Sequence, residues 1–237
     1  IVVGLALTRY DRTREATSQF FHAHPRMLDS LIGIVITIVM LLCVEGVFWV
    51  LNHYRDENIK TSWTERLKQP DELLGSKPRP SVRVSAQKTA YGEVLYDVTY
   101  SIDQYSRRIT PLEDLEHRTN YILFFGGSFT FGEGVNDDET LPFYVAELAP
   151  QYRPYNYGFC GYGPHQMLAK LQSGEMAQEV DEARGILVYT LLDAHIARAT
   201  GSALTLKWGH HTPYYVIDDD DQLVRKGNFT SGRPVVT

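Results

Sequence analysis

The sequence predicts an α/β domain with a parallel sheet, preceded by one transmembrane helix. Three observations predict it. Residues 31–51 are almost continuously apolar. Residues 121–125 form an apolar run of strand length that stops at Gly126-Gly127-Ser128. Two more strand-like runs follow, at 154–157 and 185–192, separated by helical patterns. A β-α-β-α-β order implies crossover connections and parallel pairing.

The first element is the apolar run. Twenty or so apolar residues are the length needed to cross a bilayer core of about 30 Å as a helix. Trp49 and Tyr54 fall where an interfacial aromatic belt would lie. A core helix is rarely apolar all round for so long. Some 30 residues precede the run and no small-residue cleavage site follows, which argues against a signal peptide. Glu45 interrupts the run near its end; it either reaches the headgroups or meets a partner inside the membrane. Gly46 beside it would allow a second helix to approach closely. The expected partners are therefore the lipid bilayer and other membrane-protein subunits. Basic residues are nearly balanced across the run, with Arg12, Arg14 and Arg26 before it and Arg55, Lys60, Arg66 and Lys68 after it. Charge therefore leaves the orientation undecided.

Residues 52–80 are polar and contain Pro70, Gly75, Pro78 and Pro80. They read as a stalk that begins helical, with Trp63 and Leu67 packing near the membrane surface. Val94, Tyr96, Val98, Tyr100 and Ile102 alternate with more polar residues, the pattern of a half-buried edge or hairpin strand. The α/β core comes next. Its first strand ends at the serine turn, and a helix follows near 141–148, with Pro142 tolerated in the first turn. The strand at 154–157 leads to a second glycine-rich turn and a helix from about Pro164. The strand at 185–192 is third. Residues 214–217 and 223–225 flank Asp218 to Asp221 and read as a hairpin with a solvated acidic tip. The expected organisation is an extramembrane segment over 1–30, the membrane helix over 31–51, the stalk over 52–80 and the α/β domain over 81–237. Val235-Val236-Thr237 reads as the start of another element, so the domain is expected to continue.

Composition narrows the function. The chain has 237 residues and a net charge of −6. No strongly basic surface is available, which argues against nucleic acid as a partner. Two cysteines, Cys43 and Cys160, make no disulfide framework. No cofactor or metal is called for.

The chemistry concentrates at the ends of the strands. Gly126 and Gly127 let the backbone turn sharply and leave Ser128 at the strand's C-terminal edge, where α/β folds place their sites. A serine there is a nucleophile if a base reaches it, and otherwise a capping residue. Residues 155–166 read Tyr-Asn-Tyr-Gly-Phe-Cys-Gly-Tyr-Gly-Pro-His-Gln, again a strand, a glycine turn and a helix start.

These two blocks, in this order, resemble the SGNH/GDSL hydrolases over roughly residues 118–198. The resemblance implies a flavodoxin-like three-layer fold, with Ser128 as nucleophile and the N–H of Gly161, or of Gly158, as an oxyanion donor. It also implies an extracytoplasmic, periplasmic placement of the domain. The family's first block usually has Asp where this chain has Gly127. Its side-chain amide after the third strand matches Asp193 here. An ionised carboxylate only accepts hydrogen bonds and would repel an oxyanion. His195 either donates in its place or joins Asp193 in capping the short helix. The family's Asp-His pair near the domain end has no recognisable counterpart. His165 lies in the second turn; His210 and His211 precede the hairpin. Two functions follow. One is a weakly active or inactive SGNH-like domain serving as an accessory subunit of a membrane complex. The other is a serine esterase acting on a surface polysaccharide or lipid, with its base beyond Thr237.

Overall fold

A computed structural model describes residues 25–230. Most of the extramembrane segment over 1–30, and the terminal Val235-Val236-Thr237, lie outside the described residues. Two compact units divide at Asn58 and Ile59.

The first unit contributes helix α1, Pro25–Asn58. Within it, residues 26–55 are long and apolar enough to cross a bilayer, and none of the most apolar stretch is buried against protein. Glu45 and Gly46 are both exposed on this helix. Nothing lies within 4 Å of the place a Gly46 side chain would occupy.

The second unit is mixed α/β. It opens with β1 (Ile59–Thr61), the short helix α2 (Thr64–Leu67) and the hairpin β2 (Lys68–Asp71) and β3 (Gly75–Pro78). The long hairpin β4 (Arg83–Ala90) and β5 (Glu93–Ser101) follows. β1 joins it in an antiparallel sheet of order β1-β4-β5. The parallel sheet has order β7-β6-β8, with β6 (Asn120–Gly126) central between β7 (Tyr152–Asn156) and β8 (Gly185–Thr190). Its helices are α3 (Ser128–Phe131), α4 (Leu141–Leu148), α5 (Pro164–Ser173), α6 (Ala194–Ala199) and α7 (Ala203–Gly209). The hairpin β9 (Pro213–Ile217) and β10 (Leu223–Asn228) closes the described chain. Its acidic tip is a local turn, in which Asp218 Oδ1 accepts from the backbone N–H groups of Asp220 and Gln222.

Residues 59–80 correct the stalk reading. Trp63 and Leu67 are buried, and with Leu74 they join the main core beside Val84, Tyr100, Phe131 and Phe159. The segment hides its apolar content in a few widely spaced large residues, so its composition resembles a linker. Asp71 makes the hairpin possible. Its Oδ1 accepts from the N–H groups of Leu73 and Leu74, its pKa is lowered, and Lys77 pairs with it at 2.7 Å. Burial alone would raise that pKa; the Lys77 bond and the backbone donors outweigh it.

Aromatic rings join the layers. Trp63 meets Tyr100 edge-on, Tyr100 meets Phe131, Phe131 meets Phe159, and Phe159 meets Tyr162, with centroids 5.1–5.7 Å apart. Edge-to-face contacts of this kind contribute about 0.5–1.5 kcal/mol each beyond burial. The chain of rings runs from Trp63, just before α2, through β5 to the serine helix and the second glycine turn.

Arg108 sits against this path with a fully buried side chain. Its guanidinium donates to the carbonyls of Phe131, Gly132, Val135 and Thr99, and its Nε to Asp137 Oδ1 at 3.0 Å. Burial lowers its pKa and Asp137 opposes the shift. Replacing Arg108 by Leu strands a half-buried carboxylate and several carbonyls. Breaking one partner of a buried pair typically destabilises by about 3–5 kcal/mol. Denaturant unfolding in detergent, followed by tryptophan fluorescence, should show Arg108→Leu destabilised by about that amount. The exposed Arg83→Leu should fall within about 0.5 kcal/mol of native.

Candidate functional site

The site is built where β6, β7 and β8 end side by side. β6 stops at Gly126, whose φ is 155°. A side chain there would come within 2.1 Å of Thr130 Oγ1, so only glycine fits. Ser128 then starts α3, and Gly132 ends it in the left-handed region at φ 83°. Ser128 is half-buried, and Phe129 beside it is largely exposed. Among the described residues, no side-chain hydrogen bond engages Ser128 Oγ.

The second turn is locked to the first by Asn156. Its Nδ2 donates to the Thr130 carbonyl, and its Oδ1 accepts from Gly158 N–H, both at 3.0 Å. A side chain on Gly158 would come within 2.7 Å of Phe131 N. Phe159 N–H extends the parallel ladder to the Gly126 carbonyl. These contacts separate the two glycines weighed as oxyanion donors. Gly158 N–H is taken by Asn156. Gly161, at φ 85°, has no acceptor for its N–H among the described backbone bonds. The Trp208 ring lies against Gly161, 3.1 Å from where a side chain would begin.

The third strand end supplies His195 and Arg198. Asp193 is exposed at the N-terminal boundary of α6 and makes no side-chain cap bond. His195 is fully buried. Its Nδ1 accepts from Leu192 N–H at 3.3 Å and lies 2.9 Å from the Tyr189 hydroxyl. An N–H donor on Nδ1 assigns the proton of the neutral ring to Nε2. Nε2 is buried without a partner. It lies 3.0 Å from the point where a Gly127 side chain would begin, and Arg198 Nη1 lies 2.9 Å from the same point. The imidazole and guanidinium thus occupy the flank of Gly127. Arg198 donates to the Tyr162 carbonyl and lies over the Trp208 ring. Among the described residues no carboxylate pairs with it.

No protein family model matches this chain, and no curated protein matches it. The site therefore rests on its own geometry.

His165 completes the cluster at the start of α5. Its ring is buried, with Nδ1 unpartnered, and it meets Phe229 edge-on at 6.1 Å. Burial, then the charge of Arg198 and the neighbouring His195, push its pKa down to about 4. His195 is pushed down too, by burial and by Arg198. A base so weak is poorly matched to proton abstraction near neutral pH. His210 and His211 are exposed, with ring centroids 4.1 Å apart, and the His211 carbonyl covers Gly75. Among the described residues no group of three or more His, Cys, Asp or Glu is placed to hold a metal. Cys43 and Cys160 are both free. Burial and Glu133 raise the Cys160 thiol well above its ordinary range.

A cleft of about 280 Å³ opens beyond the second turn, between the β2–β3 hairpin and α5. Asp71, Lys77, Tyr157, Gln166 and Lys170 help to line it; Ser128 does not. Lys170 is held there by Glu175 and Glu179. Sequence reading missed this cleft and Arg198, because the hairpin that walls the cleft looks like linker.

Chemically, the turn offers a hydroxyl, a buried Nε2–H and a guanidinium lacking an anion. That set can stabilise negative charge on oxygen. Among the described residues, that set includes no free base.

His165 supplies a pH test. Its folded pKa lies below the unfolded value of 6.5, so the unfolded chain binds the extra proton first. Stability is then constant above pH 6.5 and is lost as pH falls from 6.5 toward 4. A shift of this size corresponds to about 3 kcal/mol. Unfolding free energies at pH 7 and pH 4 should differ by about that much less in His165→Gln than in native protein.

Proposed function

We propose that this chain is a membrane-tethered, SGNH-like domain that carries the nucleophile and donor half of an acyl-transfer site. It acts as a weakly active or inactive accessory subunit of a membrane assembly. The observation that carries this reading is the hydrogen bonding of His195. Its Nδ1 is occupied by donors, so the ring presents an N–H toward the serine turn rather than a lone pair. A ring held this way polarises an oxygen; it does not deprotonate Ser128. His195 takes the donor role that the resemblance would give to an amide at Asp193. The apolar α1 is the anchor, and Glu45 with Gly46 is its contact with another subunit. A carboxylate facing hydrocarbon is disfavoured by a few kcal/mol unless a donor meets it.

One observation favours the second reading, an active esterase on an extracytoplasmic polysaccharide or lipid. Two donors near the turn, His195 Nε2–H and Gly161 N–H, are left without acceptors. Such groups suit a developing oxyanion, and a base from beyond Thr237 would complete the site.

Hydrolysis of a short-chain p-nitrophenyl ester by the purified chain separates the two. The expected rate is within about tenfold of the Ser128→Ala variant. A fast rate abolished by Ser128→Ala and cut about a hundredfold or more by His195→Ala would establish the esterase, since one oxyanion donor is typically worth that much. For the anchor, native protein extracted in mild detergent should co-purify with partner subunits, and Glu45→Leu should lose them.

A further inference from the structure

Gln166 stands in the first turn of α5 and is 1% exposed. Its Oε1 accepts from the Gly163 N–H at 2.8 Å, which caps the helix and fixes which end of the amide is which. Nε2 keeps its two hydrogens and has no hydrogen-bond partner among the described residues. A buried amide used on one side only is an exception among buried polar groups. Gln166 lines the cleft of about 280 Å³, so the unmet donor opens there. Lys170, one turn along α5, lines the same cleft. Two of its three N–H donors go to Glu175 and Glu179, and one is left over. Gln69, Gln104 and Ser106 complete the polar lining, and among the described residues none of their side chains makes a hydrogen bond. The turn that carries two of them is held firmly. Asp103 Oδ1 accepts from the N–H groups of Tyr105 and Arg107, and Oδ2 from Arg107 Nε. Binding there needs little further ordering of the chain.

The lining says what kind of molecule fits. Its charges are already paired, Lys77 with Asp71 and Lys170 with Glu175 and Glu179. Three carboxylates stand against two ammonium groups, which disfavours an anion. A cation would meet the N–H groups of Gln166 and Lys170. The ligand is therefore neutral and rich in oxygen. The unused side chains are amides and a hydroxyl, which both donate and accept, as the hydroxyls of a ligand do. The remaining wall is apolar. Phe125 and Tyr157 both line it and stack with centroids 5.0 Å apart, and Met167 lies beside them. Aromatic faces of this kind receive C–H groups, which carry the opposite partial charge. Hydroxyls around an edge and C–H groups on a face describe a sugar ring. A cavity of this size is at the small end of ligand sites and suits a single ring. A second cavity of about 390 Å³ shares Gln104, Tyr105 and Glu179 with the first, so a linked unit has space to continue.

We propose that this cleft binds a neutral sugar unit, at a site separate from the serine turn. Ser128 does not line it, so the proposal stands apart from the acyl-transfer reading. The full chain is placed in phosphatidylcholine nanodiscs, because sugar-headed detergents would compete. Methyl glucoside, methyl galactoside and methyl mannoside are titrated in turn and followed by saturation-transfer NMR. N-acetylalanine methylamide serves as a peptide probe. At least one glycoside should bind with a Kd of about 1 mM, the affinity that ordinary ligand efficiency gives a molecule of this size. Gln166→Glu keeps an oxygen for the Gly163 N–H and removes the amide donor, and should weaken binding about tenfold. Gln104→Ala, a change at an exposed residue, should weaken it severalfold. Ser128→Ala should leave it unchanged. No transfer to any glycoside at about 10 mM overturns the proposal. Binding unchanged by both glutamine variants overturns it too, and if Gln166→Glu does not fold, Gln104→Ala alone decides. Binding lost in Ser128→Ala places the sugar at the serine turn and overturns the separate site. Transfer to the peptide probe alone means a different ligand class and does the same. Ester hydrolysis is read in its own assay, so either reading can fail while the other stands.

Discussion

The buried guanidinium of Arg108 is the constraint around which the α/β unit is organised. It binds carbonyls on β5, on the C-terminal end of α3 and on the loop after it, and it pairs with Asp137. Its backbone N–H bonds the Asn156 carbonyl, so the same residue also lies against β7. Asn156 in turn holds the serine helix to the second glycine turn. A short helix such as α3 has too few internal bonds to hold its own geometry. Here its exposed carbonyls are satisfied by a rigid fork with five donors, a role that lysine's single point charge would not fill. The position of Ser128 is therefore set from outside its own turn, by a residue twenty positions earlier.

The same logic explains the glycine at position 127. An aspartate at this position would have to begin within about 3 Å of both His195 and Arg198. The two basic groups occupy the flank of the turn, and glycine is what leaves them room. His195 is oriented by Leu192 N–H and the Tyr189 hydroxyl, and Arg198 by the Tyr162 carbonyl. Burial and the charge of Arg198 disfavour protonation of either imidazole.

Much of this fold was legible because buried parallel strands announce themselves. The run from Tyr121 to Phe125 and the glycines after it predict β6 and the turn; β7 and β8 follow from similar runs. Of the antiparallel strands, β5 and the β9–β10 hairpin were legible from alternation and turn residues, while β1 to β4 were not. β4 turns Val84 and Ala86 inward and polar residues outward, a weak signal in which small residues do the packing. β2 contains a proline, and β3 is four residues long. Trp63 and Leu67 looked like isolated apolar residues in a linker because their partners lie dozens of residues away. At the site, Ser128 and both glycine turns were readable from spacing. The role of His195 was not, since it depends on which ring nitrogen meets Leu192 N–H. Arg198 carried no motif at all.

Orphaned polar atoms give the serine turn its meaning. Four buried side-chain polar atoms among the described residues lack a partner, and three of them belong to Thr130, His165 and His195. Thr130 lies in the serine helix, and the two histidines interact electrostatically with each other and with Arg198. Each unsatisfied buried group typically destabilises a fold by about 1–3 kcal/mol. Elsewhere the unit satisfies its buried polar atoms closely: Arg107, Arg108, Arg118 and Lys170 all have multiple partners. A turn needed only as a connection between β6 and α4 would have no reason to collect the exceptions. The proposed reading of the serine turn as a site for a ligand oxygen draws on this concentration of orphaned polar atoms.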